Sequence, residues 1–388
     1  MNLNTDASRI MSGAPLPASP VMASVLCGDQ QGGAQLFEEL GGTDPALVLL
    51  FSSAREDLTR LSSELSQKFG PDCPVVGCTS AGEIGPDGYA TGTVIALAFP
   101  RASFRAAICT LANQEHIPVS QWMAQLRRFR THFNPDSGRS VFGILFADGQ
   151  ARHEDVLVAT LEAALPVVPV IGGSAADGLR FGRTTQVVNG EEYPGSAIFV
   201  LVETDLAVTD VSFAHFIPTS SLVVVTKADP LNRTILELNA ESAVQEYMRL
   251  TGLTRDRLTP QEFARHPLIL RTGRRNHIRA IRGVTPEGGL ELMSAIENGT
   301  ILRLGRVEDM TQGFADTLQS LPRPPLMVLG FDCILRRLAL ERAGMIEEMS
   351  RILTRFRVAG FNTYGEQQNG MHVNQTFVGL AFTMPETL

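Results

Sequence analysis

The side chains best placed to do chemistry in this chain sit in three glycine-rich turns of similar make-up. They are Gly77-Cys78-Thr79-Ser80-Ala81-Gly82-Glu83, Gly172-Gly173-Ser174-Ala175-Ala176-Asp177-Gly178 and Gly360-Phe361-Asn362-Thr363-Tyr364-Gly365-Glu366. Aligned on Gly77, Gly172 and Gly360, Ser80 falls with Ala175 and Thr363, and Glu83 falls with Gly178 and Glu366. Glycine lets backbone N–H groups approach a ligand closely or adopt φ > 0. Ser80, Thr363 and Tyr364 offer hydroxyls, Ser174 lies in the second turn, and Glu83 and Glu366 offer a counter-charge for an ammonium. The plainer alternative is that the glycines only permit tight turns, with the two glutamates capping nearby backbone. A second cluster is Asp332-Cys333-Ile334-Leu335-Arg336. A nearby cation lowers a thiol pKa. Cys333 with Arg336 therefore reads either as an activated thiol or as a buried cysteine beside an arginine that pairs a carboxylate.

Each turn closes the same pattern of buried strand, helix and buried strand, and Leu50 to Gly77 has the spacing of Leu145 to Gly172. Leu58, Leu61, Leu65 and Phe69 form the apolar stripe of the first helix. His153-Glu154-Asp155 opens the second, and a single third helix is predicted from Leu338 to Phe356. Helices between buried strands predict crossover units with parallel strand pairs. The expected fold is α/β: layered mixed β-sheets flanked by helices, built from three strand–helix–strand quasi-repeats with an inserted strand-rich block. In that block a helix is expected to carry Leu236, Leu238, Ala243, Tyr247 and Leu250, followed by short strands. Ligands of open α/β sheets lie beyond the carboxyl ends of the strands, where the three turns fall.

The 388 residues are 44% hydrophobic and 19% charged, which suits a globular protein with a large core. A net charge of −8 argues against wholesale nucleic-acid binding. No apolar run is long enough for a membrane-spanning helix. Residues 1–23 read as a flexible tail without the basic and apolar regions of a signal peptide. The five cysteines show no metal-type pairing, and their odd number and apolar settings suggest reduced thiols in a cytoplasm. No catalytic set of telling spacing is present, so an enzyme with Cys333 or Ser80 as nucleophile is a minor alternative.

The motifs Gly77-Cys78-Thr79-Ser80-Ala81-Gly82-Glu83-Ile84, Gly172-Gly173-Ser174-Ala175-Ala176-Asp177, Tyr364-Gly365-Glu366, Asp332-Cys333-Ile334-Leu335-Arg336 and Asn374-Gln375-Thr376 resemble the FIST domain, a sensory input domain with amino- and carboxy-terminal halves. The resemblance implies a FIST N-type domain over 24–222 and a FIST C-type domain over 223–388. It also implies a sensory and signalling role. A chain of this kind resembles the haem-binding, nitric-oxide-sensing FIST proteins associated with histidine kinases. Other FIST proteins are proposed to sense small molecules such as amino acids. The implied partners are thus a histidine kinase or other signalling protein and a small ligand, with a homodimer as one arrangement.

If haem b is bound, its iron needs an axial donor inside an apolar pocket, and its propionates favour arginine. His215, flanked by Phe213, Phe216 and Ile217, is one candidate ligand. His277 is another, because Arg275 and Arg279 share its face on a strand and could meet propionates. His153, at a helix start near the second turn, is the third. Each has a plainer reading, as a core, solvated or capping residue. His372, beside the closing Asn374, ranks lower. No metal site beyond haem iron is expected.

Overall fold

The computed structural model describes residues 17–112, 117–136, 138–180, 182–272 and 275–386, the side chain of Arg275 excepted. Three strand–helix–strand units form as the periodicity requires. Pro45–Ser52 pairs in parallel with Val75–Thr79, Ser140–Ala147 with Val170–Ser174, and Met327–Cys333 with Val358–Thr363. Five of these six strands, all but the half-buried start of Ser140–Ala147, are buried along their whole length. Near-continuous apolar sequence is the signature of strands covered on both faces. The crossover helices are Arg55–Phe69 in the first unit and Glu154–Ala164 in the second. The third unit has two helices, Ile334–Ala343 and Ile346–Arg355, where one was expected. Gly344 takes φ +69°, and the N–H groups of Gly344 and Met345 bond back to Glu341 and Leu340, which ends the first helix in a left-handed cap.

Each unit anchors a six-stranded sheet with the same strand order. A closing strand (Thr93–Pro100, Ser196–Thr204 or Thr376–Thr383) runs antiparallel to the unit's first strand. A short hairpin follows each turn and leaves for another unit's sheet. Glu83–Gly85, after the first turn, pairs with Val358–Thr363. Glu366–Gln368, after the third, pairs with Val170–Ser174. Gln186–Val188, after the second, pairs with Val75–Thr79. The exchange is cyclic, so no unit completes its sheet alone. The inner faces share one core containing Phe51, Phe99, Phe146, Phe331, Phe361 and Phe382. Phe51 and Phe361 lie 4.8 Å apart at their ring centroids, and Phe331 meets Phe361 edge-on at 5.6 Å, both favoured aromatic arrangements.

The inserted block forms a fourth, eight-stranded sheet around its own core of Val223, Ile235, Tyr247, Phe263 and Leu302. Thr234–Leu238 is a strand of that sheet, not the start of a helix. It is held between Phe216–Asp229 and Leu290–Leu292, and the helix begins only at Ala243. The boundary expected at 222/223 falls inside the strand Phe216–Asp229. Ala207–Ala214 pairs along its length with Thr376–Thr383, so the two halves of the chain share a sheet. Of the expected tail, Val21–Leu26 is an edge strand paired with Thr93–Pro100, and residues 1–16 lie outside the described residues.

Candidate functional site

The glycines that open the three turns serve strand packing. A Cβ on Gly77 would lie 2.5 Å from the Leu50 carbonyl oxygen, on Gly172 2.0 Å from that of Leu145, and on Gly360 1.7 Å from that of Gly330. None of the three has positive φ. They are required because neighbouring parallel strands approach there more closely than a side chain allows.

The glutamates staple their turns. Fully buried Glu366 accepts the Thr363 hydroxyl on Oε1, and on Oε2 the Thr376 hydroxyl (2.7 Å) and N–H (3.3 Å). Burial, partly offset by the two hydroxyls, pushes its pKa up to about 8. Glu83 is equally enclosed and accepts from the Ser80 hydroxyl at 2.5 Å and the Thr93 hydroxyl at 3.0 Å. Burial raises its pKa as well. Both carboxyls are sealed from solvent and occupied by their own turns. The expectation that they anchor an external ammonium is corrected to the capping role.

The second turn breaks the pattern. The ladders place Ile84 opposite Gly360, Val187 opposite Gly77 and Gln367 opposite Gly172. One residue earlier, Gln186 is therefore the counterpart of Glu83 and Glu366, in place of the Gly178 that sequence alignment suggested. The hydroxyl of Ser80 or Thr363 is replaced by Ala175. Gln186 is fully buried, and neither amide atom has a hydrogen-bond partner among the described residues.

Beside this second turn, at the carboxyl ends of the second and third units' strands, lies a cavity of about 350 Å³. Gly149 and Gln150 reach it from the second unit. Ile334, Leu335, Leu338 and Tyr364 reach it from the third, and Leu292 and Met293 from the inserted block. Its size falls near the lower end of the ~300–1,000 Å³ typical of ligand sites. Three arginines border it. Arg233 bonds Glu154 (2.8 Å) and the Met293 carbonyl (2.6 Å), Arg282 bonds Glu291 (3.0 Å), and exposed Arg152 lies 3.9 Å from the same Glu291. The Tyr364 hydroxyl donates to Asp177.

His372 also lines this cavity, and sequence reasoning ranked it low. Its Nδ1 is 3.4 Å from Gln367 Nε2, and Nε2 has no hydrogen-bond partner among the described residues. Next to it, Gln367 Nε2 donates to Ser174 Oγ (2.8 Å), and Asn374 Nδ2 donates to the Tyr364 carbonyl (3.2 Å). Those bonds fix the amide orientations and leave Gln367 Oε1 and Asn374 Oδ1 as buried acceptors without a donor. The walls are thus mainly apolar, the border carries arginines paired with Glu154 and Glu291, and the two free acceptors lie behind the lining residue His372, not among the walls themselves.

The predicted haem ligands are scattered. His215 is 2% exposed and stacked on Phe216 with ring centroids 4.0 Å apart. Burial, then the charge of Arg336, pulls its pKa down to about 3. It is not among the walls of the 350 Å³ cavity or of the cavities of about 490 and 430 Å³ elsewhere in the molecule. His277 faces a separate cavity of about 490 Å³, walled mainly by polar groups such as Thr209, Asp210, Ser212, Asn276 and Gln368. His153 is the half-buried N-cap of Glu154–Ala164 beside a cavity of only about 20 Å³. Arg279 is buried, and the Arg275 side chain lies outside the described residues. None of the three histidines combines an open imidazole nitrogen with an apolar haem-sized pocket, so this set does not fit haem.

The activated-thiol reading of Cys333 is also corrected. Burial, and then the charge of Glu366, raise this thiol well above its ordinary pKa. Arg336 turns away to both oxygens of Asp332 (3.0 Å each) and to Tyr89, under the ring of Phe314. Ser80 is sealed in its bond to Glu83. Among the described residues no group of three His, Cys, Asp or Glu side chains could hold a metal ion, and no helix is long and apolar enough to cross a membrane.

Comparison with known proteins agrees with this architecture. Residues 46–241 match the family profile described as the FIST N domain, and residues 243–369 match the FIST C domain. An uncharacterized protein of Methanocaldococcus jannaschii is 24% identical over 310 residues, which cover 74% of this chain and 59% of that protein. The chain thus spans little more than half the length of that relative.

Proposed function

The chain belongs to the FIST family of sensory signal-transduction domains, and from that premise we propose that it senses a small zwitterionic metabolite of amino-acid type in the cavity beside the second turn. The observation that carries the reading is the division of polarity there. Behind the lining residue His372, the buried acceptors Gln367 Oε1 and Asn374 Oδ1 lack donors among the described residues and suit an ammonium that reaches past the imidazole. Ile334, Leu335 and Leu338 suit an apolar side chain, and Arg152 and Arg282, two cations that share the one carboxylate of Glu291 (3.9 and 3.0 Å), suit a second carboxylate. Unpaired buried acceptors cost roughly 1–3 kcal/mol each, so a ligand that donates to them gains affinity through relief of that cost. Output is by contact with a signalling partner such as a histidine kinase. Leu231 (95% exposed) and Leu179 (53%) border the same cavity, which puts ligand and partner surface side by side.

Nitric oxide sensing through haem is the second reading. The observation favouring it is His372, whose Nε2 lacks a partner beside apolar walls. An absorption spectrum of protein expressed with haem precursor, together with thermal melts against a panel of amino acids, separates the two. The metabolite reading expects no Soret band and a rise in melting temperature with one or a few amino acids. A Soret band that shifts with nitric oxide and disappears in His372→Ala would replace it.

A further inference from the structure

Three arginines among the described residues are buried: Arg279, Arg336 and Arg337. Two have partners suited to a buried cation. Arg336 pairs with Asp332 (3.0 Å) and lies against Phe213 and Phe314. Arg337 bonds Asn362 (2.9 Å), the Ala90 carbonyl (3.0 Å) and Glu341 (3.1 Å). Arg279 has no such set. It is 7% exposed, its Nε and Nη1 are buried without a hydrogen bond, and no carboxylate of the described residues lies within ion-pair distance.

The register of the neighbouring strands points to a second unsatisfied group across from it. Arg279 ends the strand Arg275–Arg279, opposite Leu268. Beyond it the chain pairs back on itself, with Ile281 opposite Leu292 and the Met293 N–H bonded to the Ala280 carbonyl at 2.9 Å. Continuing that antiparallel register by one residue sets Ser294 across from Arg279. Ser294 is fully buried, and its Oγ has no partner among the described residues.

The acid whose charge acts on Arg279 is Asp155, which lies beyond ion-pair distance and whose Oδ2 is already engaged elsewhere. It accepts the Ala295 N–H at 3.2 Å and lies 3.5 Å from Arg233. A guanidinium does not deprotonate in a protein, and a buried charge without a partner costs several kcal/mol. Water can satisfy a hydroxyl but cannot neutralise a cation.

We infer that Arg279 and Ser294 form an internal receptor for an oxyanion, a carboxylate or a phosphate group. The planar guanidinium supplies parallel N–H donors matched to two oxygens, and the serine hydroxyl supplies one more. Arg279 is not among the walls of the 350 Å³ cavity, so the inference stands or falls apart from the metabolite reading.

The test uses the full chain in Tris chloride, with chloride replaced at constant ionic strength by phosphate or by acetate, and thermal melting as the readout. The wild type is expected to melt higher in at least one oxyanion. A rise with phosphate alone points to a phosphate-bearing ligand, and a rise with acetate points to a carboxylate. Arg279→Met is expected to melt above the wild type in chloride, since an unpaired buried charge is gone, and to show no specific rise. Ser294→Ala should need at least threefold more anion for the same rise, which keeps a test available if the arginine variant does not fold. The general effect of phosphate on protein surfaces acts on all three proteins alike. A wild type indifferent to both oxyanions, an Arg279→Met variant that keeps the full rise, or a Ser294→Ala variant identical to wild type overturns the inference.

Discussion

The first and third turns are each closed by a buried glutamate that accepts two hydroxyls, and the second is not. In the first, Ser80 and Thr93 close on Glu83, and in the third, Thr363 and Thr376 close on Glu366. At the second, Ala175 and Gln186 occupy the matching positions and make no such carboxyl–hydroxyl closure, Asp177 instead accepts the Gly182 and Arg183 N–H groups, and a ligand-sized cavity lies alongside. Of three similar units, two keep a buried carboxyl as an internal staple, and the one that lost it borders the space. Recurrence of a motif in this fold marks structure, and departure from it marks the candidate site.

The strongest way to break the comparison is to remove what the three units share. Gly360→Ala and Gly172→Ala put a methyl within 2.0 Å of a neighbouring strand's carbonyl oxygen. Each is expected to destabilise by more than about 4 kcal/mol, the range of severe core strain. Urea denaturation measures this, and near-wild-type stability would show that the strands can spread apart.

Glu366 gives the next largest effect. Its folded pKa of about 8 stands above the ordinary carboxyl value of 4.5, so the folded state holds a proton that the unfolded chain releases. Its contribution is full below pH ~4.5 and is lost as pH rises towards 8, at up to roughly 1.4 kcal/mol per unit. Glu83 adds in the same direction. Stability should fall across that window in the wild type and fall less steeply in Glu366→Gln. Equal slopes in the two proteins would refute the staple as described.

Rebuilding the lost staple sharpens the contrast. Gln186→Glu places a carboxyl where no hydroxyl at position 175 can receive it, and is expected to cost about 2–3 kcal/mol at pH 8. Adding Ala175→Thr should return about 1 kcal/mol. A double-mutant cycle with no coupling would mean that the two positions do not meet as their counterparts do.

The units themselves were legible in the sequence, because strands covered on both faces leave unbroken apolar runs and the glycines recur at fixed spacing. The staple was half legible, since Ser80 with Glu83 and Thr363 with Glu366 are adjacent in the turns. Gln186 was hidden by the long connection through residues 175–185, which shifts the second hairpin away from its turn. His372 was hidden by hairpin exchange. It belongs to the third unit's hairpin, which lies on the second unit's sheet, and no local pattern reports that. The domain boundary was obscured for the same reason, as the strand Ala207–Ala214 completes a sheet made mostly of carboxy-terminal residues. The break at Gly344 was readable, because glycine after a basic last turn is a helix stop.

The most direct measurement is calorimetric titration of whichever amino acid gives the largest thermal shift into wild type, Leu338→Trp and Glu366→Gln. Leu338 lines the cavity and is only half-buried, so tryptophan fills the space with little strain on the core. The expected result is at least a hundredfold weaker binding in Leu338→Trp and near-wild-type affinity in Glu366→Gln. Unchanged binding in Leu338→Trp together with loss in Glu366→Gln would place the ligand at the third turn's carboxyl and contradict the division between stapled turns and the open one.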